Sequence, residues 1–281
     1  MPELPELEVV CEVLKRWIVG QPITEVKVIP PGGTIVVRDL THGGFESALT
    51  GLTITGIARR GKFLIFSFLT GSSSPVQFLA INPKLSGRLQ LAASTDKRLA
   101  KTHVVFTFEG QRQLRYIDKK QMGQVYLTHT LDSIPDYSGL GPEPFDLSLD
   151  QFRERLKHHH GEIKGILTCG EFVAGIGNAY ADEILWAARL HPYRKRTQLT
   201  SKEVKRLYNA MRSTLSEAIE KVRTAMQENI VQEPRDFVAV HMKTGQSCPR
   251  CGTRISLVGA NQRITNFCRS CQPGGLINGM E

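Results

Sequence analysis

At 281 residues the chain has room for two domains and a small third module. Hydrophobic residues make up 41%, enough for packed cores, and a net charge of +9 with a pI near 9.3 points to a polyanionic partner, nucleic acid ahead of an anionic membrane surface. No apolar run reaches the roughly 18 residues of a membrane span, and the acids Glu3 and Glu6, with no signal-type apolar core, argue against secretion and for the cytoplasm.

The opening Met1-Pro2-Glu3-Leu4-Pro5-Glu6 has two readings. A small residue after Met1 permits its removal, leaving Pro2 as a free secondary amine. Amino-terminal amines titrate at roughly 8, so part of this one is unprotonated and nucleophilic near neutral pH. Glu3 then completes an amine–carboxylate pair suited to attack on an acetal or aldehyde carbon. The other reading is an ordinary helix start, because Pro and Glu both favour a first turn. Residues 3–19 read as that helix, with Leu7, Val10, Leu14 and Trp17/Ile18 at helical spacing and Gly20-Gln21-Pro22 as the stop.

From about 23 to 129 the pattern is strand-like: Ile23–Ile29, Thr34–Val37, Leu52–Ala58, Phe63–Phe68, Val76–Ile81, Arg88–Leu91, His103–Phe108, Gln113–Ile117 and Gln124–Thr128. The expectation is a two-layer β-sandwich with an early helix, forming a first domain over 1–130. Residues 131–147, rich in Pro, Gly, Asp and Ser, read as a linker. Ser148 can cap a helix over Leu149–His159, and short helices follow near 162–168 and over Asn178–Arg189. Thr200 or Ser201 can cap a long helix to about Met226, completing a second domain over 148–237. Tyr193-Arg-Lys-Arg196 is either a solvated face or a phosphate contact.

The tail, 238–281, holds Cys248-Pro-Arg-Cys251 and Cys268-Arg-Ser-Cys271, sixteen residues apart. Two such knuckles suit one tetrahedral zinc ion held by Cys248, Cys251, Cys268 and Cys271. Between Lys243 and Arg269 the tail has five basic residues and no acid. Cys11 and Cys169 stand alone and read as packing residues. In Gly175-Ile176-Gly177-Asn178, glycines lead into a helix whose first N–H groups are unpaired. That is an anion site suited to a DNA phosphate, or else a tight helix–helix turn capped by Asn.

Together these segments resemble the formamidopyrimidine-DNA glycosylase/endonuclease VIII family of base-excision repair enzymes. The likeness rests on the Pro-Glu-Leu-Pro-Glu start, Arg60-Gly61-Lys62-Phe63-Leu64, Leu85-Ser86-Gly87-Arg88-Leu89, Leu114-Arg115-Tyr116-Ile117-Asp118, Gly-Ile-Gly-Asn and the four-cysteine finger with Gln262-Arg263. It implies an α+β chain: a β-sandwich with an early helix, a helix–two-turn–helix domain and a zinc finger. It further implies a monomer that acts in the bacterial cytoplasm on damaged double-stranded DNA. Pro2 attacks C1′ of the damaged nucleotide and displaces the base, and the charged iminium so formed promotes β- and δ-elimination of the flanking phosphates. Glu3 shuttles protons and Glu6 supports the amino-terminal site. Lys62 is the strand lysine that binds phosphate beside the lesion. Lys164, Asn178 and Arg263 bind further phosphates, which position the duplex without reading sequence.

The resemblance also exposes departures. Flipping a nucleotide costs a few kcal/mol, offset by wedge residues that are typically Met, Arg and Phe in this family. Here Leu85, Lys120 and Met122 stand in those places, and Gln121 could instead face the orphaned base. Lys120 lacks the planar fork of an arginine. Ala225–Arg235 has none of the glycines of a lesion-capping loop, so the cap is short or absent, and ring-opened purines, oxidised pyrimidines or hydantoins fit as well as 8-oxoguanine. Val240-His-Met-Lys243 replaces a common Tyr-Gly-Arg. A damage-binding protein of the same fold with little base excision is the competing reading. A zinc-ribbon transcription or RNA-binding factor would explain only the cysteines and the charge.

Overall fold

The computed structural model describes residues 1–69, 77–259 and 264–274. They fall into two compact units, Met1–Gly139 with Ile219–Pro234, and Leu140–Ala218 with Arg235–Glu281.

The first unit begins with α1 (Leu4–Ile18), followed by β1 (Ile23–Val28), α2 (Gly32–Val36), β2 (Val37–Asp39), α3 (Phe45–Leu49), β3 (Thr53–Arg60), β4 (Phe63–Leu69), β5 (Phe78–Asn82), β6 (Gly87–Ala93), β7 (Thr102–Phe108), β8 (Arg112–Asp118) and β9 (Gln124–Thr128). The strands form two sheets, in the orders β1-β7-β8-β6 and β2-β9-β5-β4-β3, which are the two layers of the sandwich. Every residue of β7 is buried, so that strand has packing on both faces. The buried stripe of α1 is wider than the sequence spacing indicates: Val9, Cys11 and Val13 join Leu7, Val10 and Leu14. Cys11 is a packing residue, and burial pushes its thiol up to about 11.

One local expectation is overturned, and one element is added. Thr34–Val37 is not a strand, because α2 occupies Gly32–Val36 and only Val37–Asp39 pairs with β9, in parallel. Gly33 N–H donates to Ile29 O at 2.7 Å and the Thr34 hydroxyl to Pro31 O at 2.8 Å, so the turn closes before a strand can start. A side chain at Gly32 would overlap the His103 ring, which explains how closely this turn packs despite its β-branched residues. α3 was not expected from sequence, since five residues are too few to show a period. Asp39 accepts from Thr41 N–H at 2.9 Å and Gly44 N–H at 3.0 Å, and Phe45 and Leu49 then fall on one buried face.

The second unit contains α4 (Leu149–Lys157), α5 (Ile163–Thr168), α6 (Asn178–Ala187), the first part of α7 (Ser201–Met226) and the hairpin β10 (Ser256–Val258) with β11 (Thr265–Phe267). Ser148 caps α4 through a reciprocal box with Gln151 at 3.2 and 2.9 Å. Phe152, Phe172, Ile184, Leu207 and Leu215 belong to one buried cluster. α7 changes unit along its length, its residues from Ile219 belonging with the first unit. There Arg223 makes a bidentate pair with Glu12 on α1, at 2.9 and 2.7 Å.

Candidate functional site

Pro2 is buried at the head of α1, beside Glu3 and Glu6, each 1% exposed. Glu3 is the N-cap, and it forms a capping box with Glu6, whose carboxylate accepts Glu3 N–H at 2.9 Å. The helix start holds two carboxylates beside Pro2. A cavity of about 20 Å³ adjoins Pro2 and Glu6, closed by Pro83, Arg88, Ile230 and Glu233 among others. That volume suits about one water, too little for a base.

Lys62 does not lie on a strand. It is the second residue of the two-residue turn joining β3 to β4, after Gly61 at φ +56°, with Arg60 paired to Phe63 across the turn. A tight hairpin needs such a left-handed residue, and half-buried Lys62 leads directly into β4.

Leu85, half-buried, sits on the turn at 84–86, while Lys120 and half-exposed Met122 sit on the segment after β8. One buried carboxylate organises both. Asp118 Oδ1 accepts from the Ser86 hydroxyl and from Lys120 N–H at 3.1 Å, and Oδ2 accepts from Gly123 N–H at 2.7 Å. Ser86 Oγ also accepts from Lys120 N–H at 2.9 Å. Sequence reasoning gave Asp118 no role, although an acid ending a buried strand is the signal for one. Gln121 Nε2 lies 3.0 Å from where a side chain on Gly32 would begin, so this amide is turned towards the β1–α2 turn.

In the second unit, Asn178 is the first residue of α6 and donates from Nδ2 to Ile264 O at 2.7 Å. Lys164 is buried, and its Nζ contacts Asp182 Oδ1 at 2.6 Å, Thr265 Oγ1 at 2.8 Å and Ile264 O at 3.1 Å. Lys164 and Asn178 thus converge on one carbonyl of the cysteine-bearing segment. Asp182 also accepts Asn266 N–H at 3.2 Å and contacts His241 Nδ1 at 2.9 Å. Glu183 takes the N–H groups of Ala239, Val240 and His241 at 2.7, 2.8 and 2.8 Å. Burial nevertheless raises its carboxyl above the ordinary range. The acid pair of α6 was missed as an anchor, though two acids in an otherwise apolar helix were its trace. Arg263 lies outside the described residues.

The four thiols of Cys248, Cys251, Cys268 and Cys271 lie within 4.8 Å of one another. Their closest separations are 3.8 Å for Cys248–Cys271 and 3.4 Å for Cys251–Cys268 and Cys251–Cys271. A tetrahedron with metal–sulfur bonds of about 2.3 Å has edges of about 3.8 Å, so the cluster can hold one metal ion. Hydrogen bonds from the Thr253 side chain and backbone hold the Cys251 thiol down to about 6, while burial pushes Cys268 up to about 12. Trp186 Nε1 donates to Cys248 Sγ at 3.4 Å.

Comparison with known proteins covers nearly the whole chain. Residues 1–125 match the formamidopyrimidine-DNA glycosylase N-terminal domain, 140–229 the H2TH domain of the same proteins, and 245–274 a zinc finger found in FPG and IleRS. The formamidopyrimidine-DNA glycosylase of Pelotomaculum thermopropionicum is 34% identical, over 97% of this chain and 99% of its own. That of Enterococcus faecalis is 36% identical, over 97% of each. Among solved structures, MutM in complex with DNA containing carbocyclic 8-oxo-G superposes with a TM-score of 0.83 at 32% identity, over 97% of this chain and 100% of that one. Lactococcus lactis Fpg in complex with DNA containing an abasic site gives 0.83 at 33%, with the same coverage. No helix among the described residues is long and apolar enough to cross a membrane.

Proposed function

Because the chain belongs to the formamidopyrimidine-DNA glycosylase family, we propose that Pro2 is the nucleophile by which it excises bases. The protein is a bifunctional DNA glycosylase and abasic-site lyase acting on oxidised bases in DNA. The carrying observation is the buried Pro2, held beside Glu3 and Glu6 by the capping box of α1. With Met1 removed, the Pro2 nitrogen attacks C1′ and the C1′–base bond breaks, the electron pair leaving with the base. Opening of the sugar ring gives an iminium. Its positive charge acidifies C2′–H, and loss of that proton expels the 3′-phosphate; loss of a second proton, from C4′ of the conjugated product, then expels the 5′-phosphate. Glu3 moves protons at the ring oxygen and C2′, and Glu6 holds Glu3 in place.

The remaining roles, apart from that of Lys164, are those the family resemblance implies. Lys62, on its turn, and Asn178 and Arg263 bind phosphates either side of the lesion. Lys164 serves this surface by fixing the carbonyl of Ile264, its charge already met by Asp182. Leu85, Lys120 and Met122 fill the gap left by the flipped nucleotide, on turns that Asp118 locks together. Cys248, Cys251, Cys268 and Cys271 hold one structural zinc ion. Borohydride trapping tests the reading on duplexes carrying an abasic site, a formamidopyrimidine or 8-oxoguanine. A covalent adduct on the abasic duplex and base release from at least one lesion are expected. Tight binding without adduct or release would favour the non-excising damage binder.

A further inference from the structure

The segment after α7 lacks the glycines of a lesion-capping loop, yet it reaches the catalytic end of the first unit. Ile230 is 2% exposed, and Ile230, Gln232 and Glu233 line the cavity that also borders Pro2 and Glu6. Glu233 makes two charged contacts there. Its Oε1 lies 3.0 Å from the amino group of Met1, and its carboxylate is paired with Arg88 of β6. Both side chains are largely withdrawn from solvent, at 14% for Glu233 and 21% for Arg88. The carboxylate therefore binds an amino-terminal ammonium one peptide unit away from the nitrogen that becomes the terminus when Met1 is lost.

From this geometry we propose that Glu233 is the counter-ion and proton acceptor of the Pro2 amine, and that Arg88 positions it and balances its charge. This deepens the reading of Pro2 as nucleophile and rests on it. The step is a single proton transfer: a Pro2 N–H bond breaks, a Glu233 O–H bond forms, and the nitrogen keeps the electron pair with which it attacks C1′. The other charged group lining the cavity is Glu6 from α1, with Glu3 adjoining Pro2 in the chain. Glu6 accepts Glu3 N–H within the capping box, and Glu3 is assigned to the sugar ring oxygen and C2′. Glu233 instead comes from outside α1 and meets the terminus directly.

The two charges have opposite effects on the amine, which makes the proposal testable. A neighbouring carboxylate favours the ammonium form and a neighbouring guanidinium disfavours it, by about one pH unit or more within a few ångströms. Borohydride trapping on an abasic-site duplex, measured as a single-turnover rate against pH, follows the unprotonated amine along its acidic limb. In Glu233→Gln that limb moves down by about one pH unit, because the carboxylate that favours the ammonium is gone. In Arg88→Met, with the carboxylate no longer balanced, the limb moves up by a similar amount. Limbs that coincide with wild type, or that move in the same direction in both variants, overturn the proposal. Loss of packing alone lowers the plateau without moving the limb. Wild-type protein that forms no adduct at any pH overturns the Pro2 reading itself, and this inference with it.

Discussion

Lys164 is where the family resemblance and the structure give different answers, and the difference can be measured. The resemblance makes it a phosphate ligand. The structure surrounds it with Asp182 at 2.6 Å, Thr265 and the Ile264 carbonyl, and leaves the residue 7% exposed, with Asp182 at 0%. Removing one member of a buried pair strands the other and costs about 3–5 kcal/mol. Asp182→Asn belongs at the upper end, because the carboxylate also contacts His241 Nδ1. Adding Lys164→Met removes the stranded ammonium, while the amide oxygen introduced by Asp182→Asn still accepts from Asn266 N–H. The double variant is therefore expected to recover about 2 kcal/mol relative to Asp182→Asn alone, by denaturant unfolding followed by circular dichroism. DNA affinity as a function of salt supplies the second assay. A phosphate-bound lysine contributes about 0.9 to the slope of log K against log salt. Lys164→Met should leave that slope unchanged, even if affinity falls because the finger hairpin shifts. A slope reduced by about 0.9, with a stability loss below about 1 kcal/mol, would show instead that Lys164 faces phosphate.

Three further outcomes follow from the packing. A side chain on Gly123 would begin 1.7 Å from the Tyr116 hydroxyl and 3.0 Å from Asp118 Oδ2. Gly123→Ala should therefore cost about 1–3 kcal/mol and slow base excision more than abasic-site cleavage, read as separate single-turnover rates. Cys268→Ser should lose bound zinc, measured as metal per chain, and weaken DNA binding; full metal retention would contradict the four-thiolate site. The hydrogen bond from Arg223 holds the Glu12 carboxyl below its ordinary range. Its contribution is thus present above about pH 4.5 and lost as pH falls through the lowered value. Because the pair is well exposed, Glu12→Gln should cost less than about 1 kcal/mol at pH 7 and flatten the acidic side of the stability profile by no more than that.

Much of this could be read from the chain because its signals were local. The β-rich first unit, the four main helices and the cysteine knuckles all follow from periodicity, caps and spacing. What could not be read was set by distant partners. Thr34–Val37 has strand residues, but bonds from Gly33 N–H to Ile29 O and from the Thr34 hydroxyl to Pro31 O close a helical turn up to Val36. Lys62 looked like a strand residue because the Gly61 turn is only two residues long. Asp118, Asp182 and Glu183 were visible as acids, but their roles depend on backbone N–H groups brought to them by folding. Glu233 lies in a segment first notable for the glycines it lacks, and only the fold carries it to the amino terminus.

The central claim is that covalent chemistry begins at Pro2. The most direct measurement is mass spectrometry of the borohydride-trapped adduct after proteolysis. A deoxyribose-derived mass is expected on the peptide that begins at Pro2, with Met1 absent, and no adduct when Met1 is retained. Attachment to a lysine-containing peptide, such as one carrying Lys62 or Lys120, or trapping by protein that still bears Met1, would contradict it.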